Sequence, residues 1–207
     1  MDRSPSMTRK PRSYMDRKVE TRDKIPRMLI VCEGSKTEPN YFRSFRVSKV
    51  LDLDVKGLGE NTLSLVERAI ELKAGKAYDQ VWCVFDKDSF PNDNFDNAIN
   101  RAESQGIKVA YSNEAFEIWY LLHFNYHNTP IPRNEYCHRL SDLLGRKYEK
   151  NDLCMYGQLL GFQGRAIQNA HKLLSTCYER SKAKNNPSTT VHLLVIELNK
   201  YTADSRK

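Results

Sequence analysis

The chain has 207 residues, enough for one α/β domain with a modest helical annex. Its formal charge of +7 suits a polyanionic partner. The five cysteines form no C-x-x-C pair, which argues against a disulfide framework or a structural zinc site and fits a reducing cytoplasm. No apolar run approaches the length of a membrane span, and the amino terminus lacks the apolar segment of a signal peptide; a soluble, cytoplasmic protein with no membrane partner is expected.

Residues 1–26 read as a flexible basic tail: the first 27 residues hold nine Lys or Arg against four acids. A solvated leader and a nucleic-acid arm both fit that composition. Pro26 marks entry to a first strand, about 27–33, in which Met28-Leu29-Ile30-Val31-Cys32 is continuously apolar and ends on Glu33. Such a run is the signature of a strand buried on both faces of a parallel sheet. Gly34–Pro39 is a tight loop opening a helix, with Thr37 placed to cap it and Tyr41, Phe42 and Phe45 as its apolar stripe. Residues 51–58 alternate in the manner of an outer strand, Asn61 caps the next helix, and Gly75 ends it.

The second buried strand, about 80–85, ends in Asp86-Lys87-Asp88. A helix through Ala98 and Ala102 ends near Gly106, and residues 107–111 form a fourth strand. The order β-α-β-α-β-α-β predicts a mostly parallel, right-handed four-stranded sheet with helices on both faces. From Asn113 a helix is expected with Phe116, Trp119, Tyr120, His123 and Phe124 on a single aromatic face. Helical segments then fill 133–145, 152–160 and 163–182, and Asn186-Pro187-Ser188-Thr189 reads as the start of a last helix that returns to the core. The expected organisation is a tail to 26, a metal-binding core over 27–125 and a helical subregion over 126–207.

The chemistry lies at the strand ends. Two adjacent parallel strands would bring Glu33, Asp86 and Asp88 together at the carboxyl edge of the sheet, where open α/β folds keep their ligand sites. Clustered carboxylates repel one another, and a divalent cation, Mg²⁺ or alternatively Mn²⁺, relieves that repulsion. Asp86 and Asp88 are two apart, so an extended backbone points both the same way and Lys87 the other. Taken alone, a D-x-D is as often a polar strand exit. Glu33 can serve as acid/base or metal ligand, and Gly34 lets backbone approach a phosphate. The amides that open the next helix favour an anion, Lys36 can neutralise a phosphate, and Glu38 can complete a second cation site or simply complement the helix dipole. This loop is not a nucleotide-binding loop, because Ser35 and Ile30 stand where G-x-x-x-x-G-K-[ST] needs glycine.

His123 could hold a phosphate or donate a proton, although a histidine on an aromatic face is more often a core residue. No zinc pair with His127 is expected, since the H-E-x-x-H glutamate is missing. Lys87, Arg133 and Arg139 join Lys36 as candidate nucleic-acid contacts, with Arg146, Lys147, Lys150 and Arg165 on the same annex; a solvated face is the plainer alternative. Tyr14, Tyr136, Tyr148 and Tyr156 could stack on unpaired bases or simply pack.

A strand-end glutamate followed by G-x-x-T-E, then an apolar strand ending D-x-D, resembles the metal-binding pattern of the TOPRIM domain of topoisomerases, primases and overcoming-lysogenization-defect nucleases. The closer resemblance is to RloB-like proteins, a prokaryotic group linked to restriction loci and abortive phage defence. It is carried by residues 30–42, by Val84-Phe85-Asp86-Lys87-Asp88, by Ser112–Phe124 and by Asn186–Thr189. The resemblance implies Glu33 as catalytic acid/base and metal ligand, Asp86 and Asp88 as the metal-binding pair, and Glu38 as a secondary ligand. Family members commonly have a small residue where this chain has Glu114. It also implies a TOPRIM-like fold, a metal-dependent nuclease acting on DNA or RNA (tRNA included) in anti-phage defence, and an ATPase partner encoded nearby. A non-catalytic nucleic-acid-binding or regulatory subunit, and a primase or nucleotidyl transferase on the same scaffold, are the alternatives. Homo-oligomerisation is left open.

Overall fold

The structure is a computed structural model, and its described residues are 24–47, 50–87 and 91–202. The Asp88 expectation and nearly all of the basic tail therefore lie outside the described residues. The strands are β1 (Arg27–Cys32), β2 (Asp52–Gly57), β3 (Gln80–Asp86), β4 (Lys108–Asn113) and β5 (Ser188–Thr189). The helices are α1 (Thr37–Arg43), α2 (Thr62–Gly75), α3 (Asn92–Ser104), α4 (Glu117–Phe124), α5 (Arg133–Leu144), α6 (Met155–Leu159), α7 (Gln163–Ser175) and α8 (Val191–Asn199).

One sheet of order β2-β1-β3-β4-β5 carries the fold, its first four strands parallel and β5 antiparallel to β4. Alternation along the central strands divides the core. Met28, Ile30, Cys32, Trp82 and Val84 face the helices α1 and α4–α8. Leu29, Val31, Val81, Cys83 and Phe85 face α2 and α3. Helices thus cover both faces, which is why β1 and β3 read as unbroken apolar runs. The chain leaves β1 through α1 toward β2 and leaves β3 through α3 toward β4, on the opposite face. That divergence makes a crevice between the carboxyl ends of β1 and β3.

Three expectations change. The sheet has a fifth strand, because Ser188-Thr189 pairs with Asn113 and Ser112 instead of opening a helix. The Thr189 hydroxyl donates to the Tyr111 carbonyl (3.0 Å), and the Tyr111 amide donates to the Thr190 hydroxyl (2.9 Å); side-chain oxygens extend the ladder on the outer edge of β4. Asn113 closes β4, and α4 begins only at Glu117. Finally, α4 has no polar face: Glu117 through His123 are all buried, as expected of a helix covered on every side. No helix among the described residues is long and apolar enough to cross a membrane.

Candidate active site

The two central strands deliver Glu33 and Asp86 to the crevice. The Glu33 amide donates to the Val84 carbonyl (2.9 Å), which continues the β1–β3 ladder past the last strand residue and fixes the carboxylate in place. Glu33 Oε2 accepts from the Asp86 amide (3.1 Å), and Oε1 accepts from the Thr62 hydroxyl (3.0 Å) at the start of α2. Asp86 is 5% exposed. Its Oδ2 accepts from Arg133 Nη2 (3.1 Å), whereas the buried Oδ1 has no hydrogen-bond partner.

Two further acids sit on the same side. Glu38, in the first turn of α1, is buried beside Gly34: a Cβ at position 34 would stand 2.1 Å from Glu38 Oε2. Close approach to a side chain, not to a phosphate, is therefore one reason for a glycine here. Glu117, in the first turn of α4, accepts from the Tyr148 hydroxyl (3.2 Å) and lies 3.9 Å from Lys150 Nζ.

Burial holds the Asp86 carboxyl well above the ordinary carboxylate range, and the charges of Glu38, Glu117 and Glu33 push the same way. Arg133 opposes them without prevailing. Glu38 is raised for the same first reason, with Glu117 and Glu33 adding to it, while its own backbone amide and Arg133 pull it down. This is a locus of excess negative charge in a dry place.

The oxygen-only donors fit a hard divalent cation, and Asp86 Oδ1 is an open ligand for one. Asp86 Oδ2 is held by a guanidinium instead, and among the described residues no three His, Cys, Asp or Glu side chains are grouped so as to hold a metal ion. Asp86 and Glu33 would hold it, and full coordination needs donors beyond those described, a rotation of Glu38, or water, which Mg²⁺ usually keeps.

Glu33, Glu38, Asp86 and Arg133 come together as a group. Lys87 lies beside Asp86 along a cavity of about 230 Å³ lined by Asn61, Thr62, Leu63, Asn94 and Phe95. Lys36 is exposed at the start of α1. Thr37 does not cap that helix; its hydroxyl donates to the Lys150 carbonyl. Arg139 turns to Glu135 (3.2 Å) and lines a separate pocket with His127, so it is a surface residue of α5.

His123 is a core residue. It is fully buried with its Nδ1 on the Trp119 carbonyl (2.9 Å), and burial lowers its pKa to about 4, so it is a poor proton donor. The tyrosine expectation changes too: Tyr136 and Tyr148 are buried, and Tyr156 packs on Phe45 at 4.8 Å between ring centres, so none of the three is a free stacking platform. Thr62 belongs to the site without having been singled out, and Tyr148 joins it through its hydroxyl on Glu117 instead of as a stacking ring. The legible signal for Glu117 was an acid opening an otherwise apolar eight-residue helix.

No curated protein and no solved structure matches the chain. A family model described as RloB-like protein matches residues 28–198, from the first core residue of β1 to the last turn of α8. That span takes in both strand ends, all four carboxylates and the annex that covers them, and the chain belongs to the RloB-like protein family.

Proposed function

We propose that the protein is a metal-dependent nuclease of TOPRIM type that hydrolyses a phosphodiester of DNA or RNA, with Mg²⁺ or Mn²⁺ as cofactor. An anti-phage role beside an ATPase partner follows from what the family resemblance implies. One observation carries the reading: Asp86 is a buried carboxylate with an unpartnered oxygen, set among three other acids at the crevice between β1 and β3. Nothing in folding calls for such an arrangement, and perturbed acids in a crevice mark functional sites.

A bound divalent cation would polarise the phosphate and lower the pKa of a bound water. The rest falls to the chain. Asp86 and Glu33 are its ligands, with Asp88 two residues on. Thr62 and the Asp86 amide aim the Glu33 carboxylate, which accepts the proton of the attacking water. Glu38, whose carboxyl is raised above the ordinary range by burial, would deliver a proton to the leaving oxygen. Arg133 meets a non-bridging oxygen of the phosphate.

A second reading, a nucleic-acid-binding subunit without catalysis, is favoured by the Arg133 guanidinium already on Asp86 and by the lack of a three-residue metal group among the described residues. Cleavage of single-stranded DNA, duplex DNA and tRNA in Mg²⁺ or Mn²⁺, with the neighbouring ATPase present, separates the two. The nuclease reading expects cleavage that EDTA abolishes and that Glu33→Gln and Asp86→Asn each lower by about 10²-fold or more. Binding of these substrates with no cleavage under any condition sinks it.

A further inference from the structure

The helical annex reaches back over the acids at two points, and each time it lays a cation on a carboxylate. Arg133, the first residue of α5, sits on Asp86. Lys150, in the loop that follows α5, sits on Glu117. This loop is built. Gly145 ends α5 in the left-handed region (φ 65°), which turns the chain back. The Tyr148 amide donates to Ser141 Oγ (2.9 Å), and Arg146 pairs with Asp152 and donates to Gln158 (2.8 Å). The Lys150 carbonyl is held by Thr37, immediately before Glu38, and the Tyr148 hydroxyl is held by Glu117.

The outcome is a lysine whose backbone is tied to the rim of the acid cluster while its side chain stays 49% exposed. At 3.9 Å its contact with Glu117 is an ion pair longer than a hydrogen bond, so its N–H donors are available to a ligand. Arg133 is similarly half-exposed at 41%. The Arg133 pair makes its hydrogen bond and the Lys150 pair does not, yet each leaves its cationic side chain half in solvent, within reach of a ligand. A polyanion cannot approach four carboxylates unless their charge is offset, and these two side chains offset it at the mouth of the site.

We propose that Lys150 is a second phosphate-binding residue facing the crevice with Arg133, and that Glu117 and Asp86 hold the two cations ready in the free protein. The ligand is the backbone phosphate of a nucleic acid, one phosphate per cation. Glu117 and Tyr148 are then positioning residues, acting through Lys150. The proposal rests on the phosphodiester reading for its ligand and not on cleavage.

The test is binding without chemistry. A fluorescein-labelled single strand, its duplex and tRNA are titrated with full-length protein in EDTA, and affinity is followed against salt. Each phosphate contact contributes about 0.7–0.9 to the slope of log K against log salt. Lys150→Gln and Arg133→Gln should each reduce that slope by about this amount, and Lys150→Arg should restore it. Between low and physiological salt, affinity should fall about three-fold less for each cation removed. Lys150→Gln that binds with the wild-type slope overturns the proposal, as does wild-type protein that binds none of the three probes. Tight, salt-dependent binding with no cleavage in Mg²⁺ or Mn²⁺, the neighbouring ATPase present, would sink the nuclease reading and leave this one standing. Cleavage with an unaltered Lys150→Gln slope would do the reverse.

Discussion

Gly34 and Glu38 show how one residue's absence of a side chain shapes the site. The Glu38 carboxylate occupies the space where a Cβ on residue 34 would stand. Gly34→Ala therefore has to turn that carboxylate out of the cluster or shift the β1–α1 loop. Overpacking of this kind costs about 1–3 kcal/mol. The cost should shrink in a Glu38→Ala background, where the nearest atoms opposing the new methyl are gone. A double-mutant cycle on urea midpoints measures the coupling, and additive penalties would mean that the two residues do not compete for that space. Cleavage should fall with Gly34→Ala, as it should with loss of Glu38. Glu33 and Asp86 could be foreseen because each ends an apolar run with a charge. What Glu117 meets could not be foreseen, because its partners Tyr148 and Lys150 lie about thirty residues away in the chain. His123 lies on the same helix and became core, since nothing in a helix sequence tells which buried polar group meets a charge and which meets a carbonyl.

At the scale of elements, β1 and β3 were legible because a strand buried on both faces has to be apolar throughout, β2 from the alternation of an outer strand, and α2 from its ends. β5 was not. Asn-Pro-Ser-Thr has the composition of a helix start, and what makes it a strand is the outer edge of β4, whose amides and carbonyls need partners. The helix begins at Val191 instead, four residues beyond Pro187, and the Val191 amide finds the Thr189 hydroxyl (3.2 Å). α2 offers an element-level test. Asn61 Oδ1 accepts from the Ser64 amide (3.1 Å), and the helix so begun presents Thr62 to Glu33. Asn61→Ala should cost about 1 kcal/mol, and Asn61→Asp should cost far less. The expected sign is a lower urea midpoint at unchanged slope. A change of slope would point to a rearranged native or denatured state instead of a lost cap.

For the molecule as a whole, two sets of buried groups set opposite dependences of stability on pH. Burial lowers the pKa of His123 and of His192 from 6.5 to about 4, and for His192 the nearby His171 adds to this. Both are neutral in the fold and charge more readily when unfolded. Their effect is to withdraw stability as pH falls from 6.5 through about 4. Asp86 and Glu38 run the other way. Their folded values lie above the ordinary 3.8 and 4.5, so the stability they contribute is present below those values and is lost as pH rises. Near neutrality the acid cluster is thus a standing cost of the fold, tolerated where a site needs charge. Asp86→Asn and Glu38→Gln, measured in EDTA, should melt higher than wild type at neutral pH, by about 2–4 °C for each kcal/mol relieved. That advantage should shrink as pH falls toward and below the ordinary 3.8 and 4.5, where the same groups take up protons in the unfolded chain too. Saturating Mg²⁺ should raise the wild-type melting temperature and close the gap at neutral pH, because a cation bound only by the folded state stabilises it. Variants that melt lower than wild type by the same amount at both pH values would show that Arg133 already balances the cluster, and the case for a second cation would then fall with the strain it was meant to relieve.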